Sequence, residues 1–119
     1  MALTKQTPEE IKAQLKVKAQ GVENTLALTY HNRSNEQYDQ FAKNPELTKL
    51  PENVTGDQVI AHMNSQLVLF VVKSFDDGTD KDFPLTYDGL MALEAHWPGM
   101  LYGILKGFHQ ARGASVEKN

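Results

Sequence analysis

The chain has 119 residues, a length typical of one domain, and a formal net charge of −3 at pH 7. This slightly acidic balance supplies no basic field for holding nucleic acid. The lack of cysteine excludes disulfides, thiolate catalysis and cysteine-ligated zinc, and it fits a reducing cytoplasm. The first residues, MALTKQ, lack the apolar core of a signal peptide, and no apolar stretch is long enough to cross a bilayer. We therefore expect a cytoplasmic domain whose partners include neither nucleic acid nor a membrane.

Residues 1–21 are predicted to contain an N-terminal helix that docks loosely on the rest of the chain. Thr7 and Glu10 have the spacing of a capping box, and Gly21 is a natural helix stop. The apolar face between them is thin. The lysines of this segment could also form a basic arm for nucleic acid, but no aromatic residue or arginine accompanies them, so we favour the helix.

A short β element is predicted near residues 24–31. Leu26, Leu28 and Tyr30 alternate with smaller or polar residues, which is the pattern of a half-buried strand. Ser34 then begins a second capping box and a short helix. Residues 44–56 carry two prolines and a glycine and are predicted to form a loop.

The longest apolar concentration in the chain is residues 59–72. Its first half has helical spacing, and its end, from Leu67 to Val72, is apolar on every side. β-branched valines leave a buried strand open as an alternative for that end. We predict a helix, because the helical spacing continues into this segment and neither glycine nor proline interrupts it.

Residues 76–82 carry four carboxylates and invite comparison with a calcium loop. An EF-hand needs oxygen ligands at its first, third and fifth positions, a glycine at the sixth and a glutamate at the twelfth. Counted from Asp76, the third residue is Gly78 and the twelfth is Tyr87. The spacing therefore favours a solvated acidic turn.

Two helices are predicted for the C-terminal part. Thr86 caps the first, and Trp97-Pro98-Gly99 separates it from the second, with Pro98 as a candidate opening residue. Gly103 and Gly107 lie four residues apart, which predicts close approach of a neighbouring helix. The predicted fold class is therefore mainly α, a small helical domain over 22–113 with the short β element and with a flexible tail over 114–119.

No residue pattern indicates catalysis. The four histidines lack the spacing of a local metal motif such as H-E-x-x-H, which leaves open only a metal site assembled from distant parts of the chain. The serines lack a nucleophile elbow, and no glycine-rich phosphate loop is present. We expect no enzyme, no catalytic residue and no cofactor.

Several short segments follow one another in a characteristic order. The strand-like LALTYHNR at 26–33 leads into a helix, and the apolar stretch ends in VVKSFD at 71–76. The acidic turn, PLT at 84–86, WPG at 97–99, a final helix and a terminal KN follow. This order resembles the tail assembly chaperones of long-tailed bacteriophages over about residues 24 to 119. Residues 1–21 have no counterpart in this pattern.

The resemblance implies a non-enzymatic protein of the infected host's cytoplasm that keeps the tape-measure protein soluble and is absent from the mature virion. A tape-measure protein is a long helical chain with exposed apolar stripes, so its chaperone needs apolar surface of its own. The candidate partner-binding residues, each of which could equally be ordinary core, are Leu67, Leu69, Phe70, Val72, Trp97, Met100 and Leu101.

Further partners follow from the same resemblance. The family often makes a longer product by a backward ribosomal frameshift, and Glu117-Lys118-Asn119 can be encoded by a run of adenines that permits it. Such a longer form of the chain, or a homo-oligomer, is therefore also expected as a partner. Two alternatives remain at this point: a small structural tail component retained in the virion, and a small cytoplasmic regulator.

Overall fold

A computed structural model describes residues 2–114, which form two layers, a three-stranded antiparallel sheet and a set of helices on one of its faces. The predicted mainly α class is wrong, because within these residues three strands accompany four α-helices. The fold is a small α/β domain. In chain order its elements are β1 (Glu10–Ala19), β2 (Val22–His31), α1 (Asn35–Ala42), α2 (Val59–Val71), β3 (Val72–Phe75), α3 (Tyr87–His96) and α4 (Met100–Arg112).

The predicted N-terminal helix is strand β1. It pairs with β2 along its whole length, from Glu10 opposite His31 to Ala19 opposite Val22. Gln20 and Gly21 both have positive φ, 52° and 77°, which is the two-residue hairpin turn that matches the twist of the strands. Gly21 therefore turns a hairpin instead of ending a helix, and this segment is part of the sheet.

The strand predicted near residues 24–31 is confirmed as β2, and it is central in the order β1-β2-β3. The helix predicted to begin after Ser34 is confirmed as α1, with both hydrogen bonds of the capping box formed to Gln37. The segment 44–56 is a loop that contains the short 3₁₀ turn Pro45–Thr48, whose Leu47 is buried, and that ends at a second one, Gly56–Gln58.

The central apolar stretch is a helix, as predicted, up to Val71. Val72 begins β3, which pairs antiparallel with β2, so the strand alternative holds only for the last residue of the stretch. Helix α2 packs against α4 and α3 and also contacts the sheet. Its Val68 and Val71 are fully buried.

The break between the last two helices is confirmed, but α4 begins at Met100 and not at Pro98. Gly99, at φ +92°, precedes it in the left-handed region. The carboxylate of Glu94 accepts the N–H groups of Gly99 at 2.7 Å and Leu101 at 3.1 Å. Glu94 of α3 therefore caps α4 and satisfies two amides that a helix start leaves open.

Gly103 and Gly107 do allow close approach, but of strand β1 and not of a helix. A Cβ atom on Gly107 would lie 2.6 Å from Leu15 Cδ2 and 2.9 Å from the Tyr30 hydroxyl. That hydroxyl donates to the Ile104 carbonyl at 2.7 Å, and burial raises its pKa above the usual range. The backbone of α4 is therefore in direct contact with side chains of β1 and β2 in the core.

The sheet has one buried and one polar face. Along β1, apolar residues at every second position face α4, and Lys12, Gln14, Lys16 and Lys18 stand on the other face. Lys73 of β3 forms an ion pair with Glu10 on that polar face. The helices lie on the buried face, where α4 contacts β1 and α2 contacts β2 and β3.

Candidate functional site

The helix layer contains an apolar groove of about 460 Å³ between α2 and α4. Its walls are Asn64 and Leu67 from α2, and Tyr102, Leu105, Lys106, His109 and Gln110 from α4. We call this surface the α2–α4 groove. The residues contributed by α4 recur at spacings of three and four, so they form one stripe along that helix.

Helix α1 closes one end of the α2–α4 groove. Tyr38 contacts the ring of Phe108 at 5.9 Å and that of His109 at 4.6 Å between centroids. Phe41, one turn later, stacks on Phe70 of α2 at 4.2 Å. Because α1 touches the C-terminal parts of both helices, it holds them at a fixed separation there.

Two large apolar side chains are exposed on the helices of the groove, each with 65% of its surface accessible: Ile60 and Tyr102. Tyr102 lines the groove directly. Ile60 lies four residues before Asn64 and seven before Leu67, so it extends the same stripe of α2. Exposed apolar residues that continue a groove of this kind are typical of a protein-binding surface.

The predicted partner-binding residues separate into three groups. Leu67 lines the groove, and Leu69, Phe70 and Trp97 are half-buried. The remaining three lie in the core with at most 2% of their surface exposed: Val72, Met100 and Leu101. Of the seven predicted partner-binding residues, only Leu67 therefore lines the groove.

Phe70 is held within the fold itself. Its ring stacks on that of Phe41, and the Arg33 guanidinium lies over the Phe70 ring, 4.4 Å from its centroid. Arg33 also donates to the Phe70 carbonyl at 3.0 Å and so satisfies a C-terminal carbonyl of α2. This arrangement fixes the end of α2 next to the groove.

Sequence reasoning missed most of the groove. Tyr102, Lys106 and His109 recur at four and three residues, a polar–aromatic stripe beside the buried stripe of the same helix. That spacing was visible in the sequence. The contribution of Tyr38 was not, because it depends on how α1 packs across two distant helices.

A second cavity of about 180 Å³ lies between the start of β2 and the α3–α4 break. It is lined by Leu26, Leu93, Met100, Phe83 and Trp97, among others. Trp97 is half-buried there and its ring lies 5.5 Å from that of His96. The smaller volume, and the buried side chains of Leu26, Leu93 and Met100 in its lining, favour a packing role for Trp97.

The acidic turn at 76–82 is hydrogen-bonded to strand β2. Asp76 accepts the Thr29 hydroxyl at 2.6 Å, and Asp77 accepts the N–H of Ala27 at 2.9 Å. Hydrogen bonds from Thr29 and Ser74 lower the pKa of the Asp76 carboxyl. These two carboxylates extend the pairing of β2 beyond the end of β3.

A buried polar pair lies between α2 and α3. His62 Nδ1 lies 2.7 Å from the Tyr87 hydroxyl. Within residues 2–114, His62 Nε2 and the Ser65 hydroxyl are buried and have no hydrogen-bond partner. Over the same range no three or more histidine and carboxylate side chains gather as metal ligands would.

None of the helices between residues 2 and 114 has the length and apolar character needed to span a bilayer. Comparison of the chain with protein-family models, curated proteins and solved structures finds no match. The α2–α4 groove is therefore the feature on which a functional proposal can be based.

Proposed function

We propose that the chain is a non-enzymatic tail assembly chaperone of a long-tailed phage that binds the tape-measure protein and keeps it soluble. The observation that supports this proposal is the apolar α2–α4 groove, with exposed Tyr102 in its wall and exposed Ile60 on the same stripe of α2 as Asn64 and Leu67. An amphipathic helix can lay its apolar stripe into such a groove. The resemblance in the order of sequence features points to the same partner.

Such a groove would keep a long helical chain soluble by covering the apolar stripes of that chain. Burial of apolar surface stabilises a complex by roughly 25 cal/mol per Å², before the costs of association. The opposite face of the sheet carries Lys12, Lys16 and Lys18 and stays polar. A complex would therefore present charge to water where the bare tape-measure helix presents apolar side chains.

The test is co-expression with the tape-measure protein encoded in the same phage genome. We expect that protein to become soluble and to co-purify with this chain. The double variant Ile60→Ser/Tyr102→Ser should lose both effects, and it should fold normally because both side chains are exposed. Val22→Ser is the matched control, since Val22 is half exposed on the β1–β2 hairpin and outside the groove.

Persistent insolubility of the tape-measure protein, also with any frameshifted longer form of the chain, would contradict the proposal. Residues 115–119, which include the candidate frameshift position and most of the predicted tail, lie outside the described residues. The proposed site of action is the cytoplasm of the infected host. Mass spectrometry of purified virions should therefore not detect the chain, whereas a structural tail component would be detected.

A further inference from the structure

The two helices of the α2–α4 groove carry no carboxylate. The chain has 15 aspartates and glutamates, yet the segments Val59–Val71 and Met100–Arg112 contain none of them. Helix α2 also lacks lysine and arginine. In α2 and α4, lysine and arginine therefore occur only as Lys106 and Arg112 of α4.

Lys106 is the cation on the α4 wall of the groove. It is exposed and lines the groove between Tyr102 and His109 on the same stripe of α4. No carboxylate lies within ion-pair distance of it in the described part of the chain. Arg112, at the end of the helix, is already engaged with the side chains of Asn32 and Asn35.

Helix α1, at the closed end of the groove, does carry carboxylates. Glu36 and Asp39 are exposed there, next to Tyr38, whose pKa is raised by burial and by Asp39. They would repel acidic groups at that end only. An acidic partner is therefore accommodated along the α4 wall.

We propose that the groove selects an amphipathic helix whose apolar stripe is bordered on one side by carboxylates that face Lys106. This selection rests on the proposed function in one respect, which is that the helix would be a segment of the tape-measure protein. The apolar stripe would cover Leu67, Leu105 and Tyr102. The flanking carboxylates would pair with a cation that nothing else in the described chain neutralises.

Two synthetic helical peptides test this selection. Both carry the same leucine stripe, and one is flanked by glutamates where the other has lysines. Binding to the purified chain is followed by fluorescence anisotropy at low salt, where charge pairs are least screened. We expect the glutamate-flanked peptide to bind about fivefold more tightly, which is the size expected of one exposed ion pair.

The net charge of −3 makes this outcome diagnostic. General attraction to an acidic protein would favour the lysine-flanked peptide, so the opposite preference reports the local field of the groove. Lys106→Glu should reverse the preference. Lys81→Glu makes the same change in net charge on an exposed residue of a turn outside the groove, and it should leave the preference intact.

Equal binding of the two peptides, or an equal effect of Lys81→Glu, would overturn the inference. The result also separates it from the proposed function. A tape-measure protein that co-purifies while the peptides show no preference removes the acidic selection and leaves the chaperone proposal. A clear glutamate preference without co-purification removes the chaperone proposal and leaves the acidic selection.

Discussion

Gly89 has no room for a side chain, because a Cβ atom there would lie 2.0 Å from the carbonyl oxygen of Pro84. Its N–H donates to the Thr86 hydroxyl at 3.0 Å and so completes the cap of α3. The clash is with backbone, which cannot rotate away. This residue therefore determines how the acidic turn enters α3.

We expect Gly89→Ala to lower the free energy of unfolding by about 3 kcal/mol, since the overpacking exceeds any gain in helix propensity. Urea unfolding measures it. Gly56→Ala is the control, because a Cβ at Gly56 meets nothing within 4 Å. Its effect should stay within about 0.5 kcal/mol. Equal effects of the two substitutions would show that the contact with Pro84 yields at little cost.

Asp77 should make the stability of the fold depend on pH. Burial alone would raise its pKa, but hydrogen bonds from Thr79 and from the N–H of Ala27 outweigh burial and lower it. A carboxyl whose folded pKa lies below the unfolded value of about 3.9 stabilises the fold above that pH. The contribution is lost as the pH falls through the folded pKa.

We therefore expect the free energy of unfolding to fall below about pH 4, and to fall less steeply in Asp77→Asn. Urea unfolding at several pH values measures both slopes. Asp80→Asn is the comparison, as Asp80 is an exposed residue of the same turn. If Asp80→Asn flattened the curve as much as Asp77→Asn, the hydrogen bonds of Asp77 would not be the cause.

At the scale of elements, β1 shows where the sequence was informative and was misinterpreted. Ile11 and Leu15 are four residues apart, which suits a helix, but Ala13, Val17 and Ala19 complete a strict alternation with polar residues. The capping-box pattern before them favoured the helix prediction. Both local patterns fit the sequence, and pairing with β2 decided between them.

Helices α1 and α3 were predictable from the capping residues Ser34 and Thr86. Helix α2 was predictable from the helical spacing of its apolar residues, and α4 from the break at residues 97–99 that precedes it. The groove was not predictable to the same extent. Its lining comes from three helices that are far apart in the chain, and only tertiary packing brings Tyr38, Leu67 and Leu105 together. Apolar residues at helical spacing do not reveal which stripe remains open.

The packing of β1 on α4 predicts a coupled pair of substitutions. A Cβ on Gly103 would lie 2.8 Å from Val17 Cγ1, and a β-branched valine has little freedom to rotate away. We expect Gly103→Ala to cost about 1 to 2 kcal/mol despite its better helix propensity. Val17→Ala should remove the clashing methyl groups.

The measurement is a double-mutant cycle by urea unfolding. Gly103→Ala in the Val17→Ala background should cost less than in the native chain, with a coupling of at least about 0.5 kcal/mol. Gly113→Ala, at an exposed position that ends α4, is the control and should be additive with Val17→Ala. Additivity for Gly103 as well would show that the cost of Gly103→Ala does not come from its contact with Val17.

For the whole molecule, the long outer edge of β1 is the feature that needs protection. Within the described residues no strand pairs with that edge, and β1 is an uninterrupted strand of 10 residues. Such edges template pairing with other chains unless charged side chains oppose it. Lys12, Lys16 and Lys18 are exposed on this strand and supply that charge.

We expect replacement of these three lysines by threonine to increase self-association, because threonine favours strands and removes the repulsion between copies. Light scattering against concentration, at matched salt, measures the association. The matched control replaces Lys43, Lys49 and Lys81 by threonine, which changes the net charge equally outside the sheet. Association of both variants to the same extent would assign the effect to net charge. Association confined to the β1 variant would show that these lysines prevent copies of the chain from pairing along the sheet edge.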